Sequence, residues 1–173
     1  TIAAFVAIVY LIVHNMGTFG NILLVMLGFG LVILVHEFGH FIVAKLTDIK
    51  VEAFSIGFPP VLMGILRTEN GYRINILPDF LKKQGDNQTG GLLSFTIGGK
   101  CKPGETEYRI GLIPFGGFVK MLGQEDTKKV GENKDPRSYA NKPVSVRMGV
   151  IAAGVVFNAI SAVIIFMIVF LIG

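Results

Sequence analysis

The sequence predicts a membrane α-helical protein with a small β region inserted between its helices: two or three transmembrane helices flanking a duplicated β-hairpin sheet. Three observations carry this. Residues 1–36 and 148–173 contain no Asp, Glu, Lys or Arg. Hydrophobic residues make up 51% of the 173 and mean hydropathy is +0.62, beyond what a soluble domain of this size needs. Between the apolar ends, aromatic, β-branched and polar residues alternate in short runs bounded by Gly and Pro, the pattern of strands.

In chain order, residues 1–20 form an apolar segment, "TIAAFVAIVYLIV", followed by "HNMGTFGN", whose Gly and Asn read as a break. The segment reads as the tail of a truncated membrane helix or, as the alternative, as a signal-like segment lacking its basic start. Residues 21–46 are a full membrane helix; Gly28 and Gly30 are tolerated there because small residues let membrane helices approach closely. Residues 47–122 carry an internal echo. "AFSIGF" (53–58) returns as "SFTIGG" (94–99), and "GYRINILP" (71–78) as "EYRIGLIP" (107–114). Two related hairpins give a sheet of four strands. Residues 123–144 alternate acids and bases and read as a charged, solvated linker. Residues 145–173 form the last membrane helix; a helix over 148–173 spans about 39 Å against a hydrocarbon layer of roughly 30 Å.

All sixteen Lys and Arg lie between Lys45 and Arg147, so the net charge of +4 belongs to the middle of the chain. Lys45, Lys50, Lys142 and Arg147 flank the apolar segments, which assigns residues 47–146 to the cytosolic side. Positives and negatives are interspersed without an aromatic-basic stripe, which argues against a nucleic-acid partner. A metal transporter is disfavoured too, because polar positions spread through many membrane helices are missing from this sequence. Cys101 alone cannot form an intrachain disulfide and reads as an idle thiol.

One stretch carries chemistry: His36-Glu37-Phe38-Gly39-His40 is H-E-x-x-H. Histidines four apart on a helix project from one face, one turn apart, and can hold one Zn²⁺. Glu37 points to the side of that pair, where a carboxylate acts as general base on a metal-activated water and later protonates a leaving amine. Three ionisable residues within five positions of a membrane helix are costly without a role. A catalytic zinc normally takes three protein ligands. His14, Asp48, Glu52 and Asp79 read as solvated or turn residues, so the third ligand is not found here. Gly116 and Gly117 let the backbone turn or approach another chain, and Asn158 is an amide in an otherwise apolar helix.

Taken together, "HEFGHFIVAKL" (36–46), "VEAFSIGF" (51–58), "EYRIGLIPFGGFVKML" (107–122) and "NKPVSVRMGVIAAGVVFN" (141–158) resemble the site-2 protease family of intramembrane zinc metalloproteases, in its bacterial regulator-of-sigma-E protease-like branch. The resemblance implies that His36 and His40 bind zinc and that Glu37 is the catalytic acid/base. It implies a hairpin region that dips towards the membrane beside the active site, and an Asn158 facing that site. Gly116, Gly117 and Asn158 are the candidate substrate-binding residues. The implied substrate is a transmembrane segment of another membrane protein, and the implied location is the bacterial inner membrane. Val155 stands where the family's Ala-Gly-Pro-x-x-Asn usually has proline. The family's third ligand, an Asp in a Leu-Asp-Gly motif, is expected from a later part of the full-length protein. The rival reading is a catalytically incomplete metal-binding membrane scaffold.

Overall fold

The computed structural model describes residues 14–77, 93–99, 102–124 and 135–173. The apolar run 1–13, expected as a third membrane segment, and Asp79 and Cys101 lie outside them. The elements run α1 (Met16–Leu46), β1 (Val51–Thr68), β2 (Gly71–Ile76), β3 (Leu93–Ile97), β4 (Glu107–Met121), a short 3-10 turn (Tyr139–Asn141) and α2 (Val144–Ile172).

Both long helices have the length and composition to cross a membrane, with window hydropathies of 2.4 and 2.9. They are not core helices, because only 6% and 0% of those windows is buried inside the molecule. An apolar helix that is not buried by its own protein needs an apolar surrounding. α1 starts five residues before the expected 21 and runs through Gly17, Gly20 and Asn21, the residues read as a break. Gly and Asn are poor helix formers in water, but an unwound backbone in an apolar setting leaves its polar groups unpaired, a larger cost.

The C-terminus of α1 closes with two reverse bonds. Ile49 N–H donates to the Ala44 carbonyl at 2.8 Å and Asp48 N–H to that of Lys45 at 3.3 Å. Asp48 takes the left-handed conformation this motif requires (φ 53°). The Thr47 hydroxyl adds a bond to the Val43 carbonyl at 2.7 Å. The chain therefore turns sharply into β1, and Ile49 is left fully buried.

The sheet has the order β3-β2-β1-β4. β1 and β2 form a hairpin, but through residues 63–68, with Thr68 opposite Gly71, and not through the expected run 53–58, which pairs with β4. The expected second hairpin is not formed: β3 pairs with β2, and β4 pairs with β1 at the opposite edge. The physical reason lies in β1 and β4, which both double back, so that Ser55 faces Phe118 on one side and Arg109 on the other. Close approach is possible only because a Cβ is absent. A side chain at Gly111 would strike the Phe58 carbonyl, and one at Gly117 the Ser55 carbonyl. β3 has no such match and takes the free side of β2.

α1 is gripped on two sides. A Cβ at Gly30 would sit 2.7 Å from the Pro114 carbonyl of β4, and one at Gly39 would sit 2.6 Å from the Ala153 carbonyl of α2. Nine residues at about 100° each place these glycines on opposite faces. The core joins α1, β1, β4 and α2 near the end of α1, through Ala44, Ile49, Val51, Phe54, Val119, Met121 and Val150.

The 123–144 segment departs from a solvated linker where it is described. Ser138 is fully buried. Lys50 N–H donates to the Arg137 carbonyl at 3.0 Å, and Tyr139 N–H to that of Leu122 at 2.8 Å.

Candidate metal centre

His36, Glu37 and His40 lie side by side on α1, their possible ligand atoms all within 4.8 Å of one another. All three are half-buried. The two imidazoles meet edge to face, with centroids 4.7 Å apart. They sit where α1 crosses α2, and Gly154 of α2 makes the space for them. A Cβ there would be 2.6 Å from His36 Nε2 and 2.7 Å from His40 Nε2. The two Nε2 atoms thus converge on one spot.

The outer nitrogen of each ring is held by α2. His40 Nδ1 lies 2.6 Å from the Val150 carbonyl. A carbonyl only accepts, so Nδ1 carries the proton and Nε2 keeps its lone pair. The Asn158 amide is at 3.4 Å from His36 Nδ1. A ring whose second nitrogen is held by an oxygen acceptor is the usual setting of a histidine metal ligand. His40 has that setting, and the two Nε2 atoms converging beside Gly154 fit a metal held through both histidines when the His36 ring carries its proton on Nδ1.

The group opens into a cavity of about 400 Å³ lined by His36, Glu37, His40, Val119, Met121, Gln124, Tyr139, Val150, Ile151 and Val155. The helices supply the donors, and β4 with the segment after it supplies the facing wall. Gln124 and Tyr139 were missed by sequence reasoning because they sit in or beside the charged stretch taken for a linker. Gly154 was missed as well, although a small residue in an apolar helix four positions before Asn158 was a readable sign.

The facing wall is pinned by Arg137. Its guanidinium forms a bidentate pair with Glu105, at 2.6 Å for the Nη2 bond, and its Nε lies 2.9 Å from Asp48. The hydrogen bond from Arg137, more than its charge, holds the Glu105 carboxyl below its ordinary 4.5, against a smaller opposing cost of burial. In return the guanidinium proton is held more firmly than usual.

The other residues weighed as ligands are engaged elsewhere or distant from the site. Asp48 pairs with Arg137, Glu52 lies 3.4 Å from Lys120, and His14 is at the far end of α1. Among the described residues the metal-capable group is His36, Glu37 and His40. Gly116 and Gly117 are buried against α1 and β1 and do not line the cavity. A Cβ at Gly116 would meet Ile33 and the Phe58 ring, each at 2.9 Å, and one at Gly117 would meet Leu34 at 3.4 Å.

A helix-borne His-Glu-His group opening into a cavity beside a second apolar helix defines a metallopeptidase-like site. The sequence matches the description of Peptidase family M50 over residues 24–96 and 91–173. The chain belongs to this family, that of the site-2 proteases. It is 36% identical over 152 residues to a Clostridium acetobutylicum protein provisionally named a zinc metalloprotease, covering 88% of this chain and 33% of that protein. It is 38% identical over 144 residues to the regulator of sigma-E protease RseP of Escherichia coli K12, covering 83% of this chain and 24% of RseP. A Salmonella typhimurium RseP is 35% identical over 153 residues, covering 88% and 26%. The chain thus spans a quarter to a third of the length of these relatives.

Proposed function

We propose that the protein is an intramembrane zinc metalloprotease that hydrolyses a peptide bond in or near a transmembrane segment of another membrane protein. The observation that carries this is the convergence of His36 Nε2 and His40 Nε2 beside Gly154, with Glu37 next to them at an open cavity. The names of the relatives, zinc metalloprotease and regulator of sigma-E protease, support the same reading. His36 and His40 would hold the ion, and a third ligand would come from a later part of the full-length protein. Zinc bound there supplies Lewis acidity and makes water acidic near neutral pH. Glu37 takes the proton of the attacking water and returns it to the leaving amine. Val119, Met121, Val150 and Val155 surround the reaction with apolar surface, which favours an apolar substrate segment.

The helices cross the inner membrane and residues 47–146 lie on the cytosolic side. His36 is nine residues before Lys45, about 14 Å along the helix, within reach of water from that side. β4 packs beside α1 as far as Gly30, about 22 Å from Lys45, so the sheet descends alongside the helix. A transmembrane helix hides its carbonyls in its own hydrogen bonds and must unwind before attack. An edge of the sheet, with Gly116 and Gly117 at its bend, receives the unwound stretch by strand addition. A cleavage rate unchanged by deletion of residues 94–118 argues against that role.

The test of the central reading is Glu37→Gln in the full-length protein. Metal binding stays, and cleavage of a candidate membrane substrate falls by about 10²–10⁴-fold or more. Undiminished cleavage by the mutant sinks the assignment.

A further inference from the structure

Asn158 stands one turn after Gly154 on α2, with its amide against the outer nitrogen of His36. Its Nδ2 lies 3.4 Å from His36 Nδ1, and its Oδ1 is buried with no hydrogen-bond partner. With that orientation the amide N–H donates to Nδ1, so the ring proton sits on Nε2. Nε2 is the atom that faces Gly154 and His40, and a protonated Nε2 cannot bind a metal. His40 has the opposite arrangement, because its Nδ1 meets the Val150 carbonyl.

The two ends of an amide have nearly the same shape, and a half-turn exchanges them. After the exchange Oδ1 faces His36 Nδ1, the ring proton moves to Nδ1, and both Nε2 lone pairs point to the same spot. We infer that Asn158 is a positioning residue whose amide oxygen accepts the Nδ1–H of His36 and fixes the tautomer that binds the metal. One helix then orients both histidines: Val150 through its main chain, Asn158 through its side chain. The location of Asn158 is itself held, since the Ser161 hydroxyl donates to its main-chain carbonyl at 2.9 Å. The role differs from substrate binding, because the amide acts on the ring of a ligand.

This inference rests on the metal reading of His36 and His40, and the experiment separates the two. Co²⁺ binding is measured by chelator competition and by absorption bands on the purified full-length protein, for wild type, Asn158→Leu and Asn158→Asp. An ionised Asp keeps the acceptor and removes the donor, whereas Leu removes both. Asn158→Leu is expected to weaken Co²⁺ binding by about 10–100-fold and to shift the bands. Asn158→Asp is expected to bind near wild-type strength with wild-type bands. Wild-type affinity and bands in Asn158→Leu overturn the inference while leaving the metal reading intact. Equal weakness of the two variants also overturns it, being the signature of a donating or merely packed amide. No Co²⁺ binding by wild type overturns the metal reading itself, and this inference with it. ¹⁵N NMR of histidine in the metal-free wild type needs no variant to fold: an Nδ1–H tautomer at His36 supports the inference, and an Nε2–H tautomer overturns it.

Discussion

The cavity has two walls built on different physics. The helical wall, α1 against α2, is a steric lock. Gly39 and Gly154 let the helices meet, and the space they leave is filled by Ala153, Phe157 and the two histidine rings. The facing wall, with Val119, Met121, Gln124 and Tyr139, is tied by an arginine with partly exposed carboxylate partners. In the first kind of contact an added Cβ is tolerated only where the atom it meets can move. Surface ion pairs contribute modestly and are screened by salt. Donors that must converge within a few ångströms stand on the rigid wall, and the opposite wall is held by weaker ties.

The sharpest way to break this contrast is to add one methyl group to each glycine of the helix crossing. At Gly39 the obstacle is the Ala153 main chain, at 2.6 Å, which cannot swing away. Gly39→Ala is expected to push the helices apart, costing about 1–3 kcal/mol in stability and abolishing both metal binding and cleavage. At Gly154 the obstacles are the ends of the His36 and His40 rings, which can rotate. Gly154→Ala is therefore expected to keep its thermal unfolding close to wild type while metal affinity falls by about 10–100-fold. Thermal unfolding and Co²⁺ titration of the two variants check this. Equal thermal loss in both contradicts the division of labour.

Gly116 extends the comparison to the sheet. It has φ 138°, and a Cβ would meet Ile33 of α1 and Phe58 of β1 at 2.9 Å each. Backbone conformation and space both exclude a side chain. Gly116→Ala is expected to destabilise by about 1–3 kcal/mol with metal affinity retained, because Gly116 does not line the cavity of the histidines. Chemical unfolding followed alongside Co²⁺ binding measures both; a loss of affinity larger than the loss of stability indicates that the bend shapes the site directly.

Legibility in the sequence divided along similar lines. His36, Glu37 and His40 were readable because a helix fixes the relation of positions four apart before any tertiary contact is known. The two long helices were readable from charge-free runs. The strands were readable from alternation, and the echo between 53–78 and 94–114 located all four. Their pairing was not: which strand lies beside β1 depends on where Gly111 and Gly117 allow a close approach, a match between distant segments. The facing wall was missed for a different reason. Residues 123–144 have the composition of a solvated linker, and nothing local indicates that Arg137 finds Asp48 and Glu105, or that Ser138 is buried. Asn158 was readable as an unusual amide, while its relation to His36 Nδ1 needed the crossing of two helices.

The smallest expected effect tests the weaker wall. Arg137→Ala removes the bidentate pair with Glu105 and the contact with Asp48, leaving the helix crossing untouched. Both partners are partly exposed, the Arg137 side chain 31% and that of Glu105 40%, so the loss in stability is expected to stay under about 1 kcal/mol. Its pH dependence follows from Glu105, whose carboxyl is held below 4.5 chiefly by the hydrogen bond from Arg137. A carboxylate with a lowered folded pKa stabilises above its unfolded value, and that stabilisation is lost as pH falls through the folded value. The difference between wild type and Arg137→Ala should therefore be constant near neutral pH and disappear as pH is taken below 4.5. Limited proteolysis at residues 135–143, across that range and at low and high salt, reads the effect where it acts. Faster cutting of the variant near neutral pH, with unchanged Co²⁺ affinity, is the outcome expected of a wall that can open without disturbing the metal ligands. A fall in Co²⁺ affinity in Arg137→Ala means that the two walls are not independent, and the site then depends on its weaker side as well.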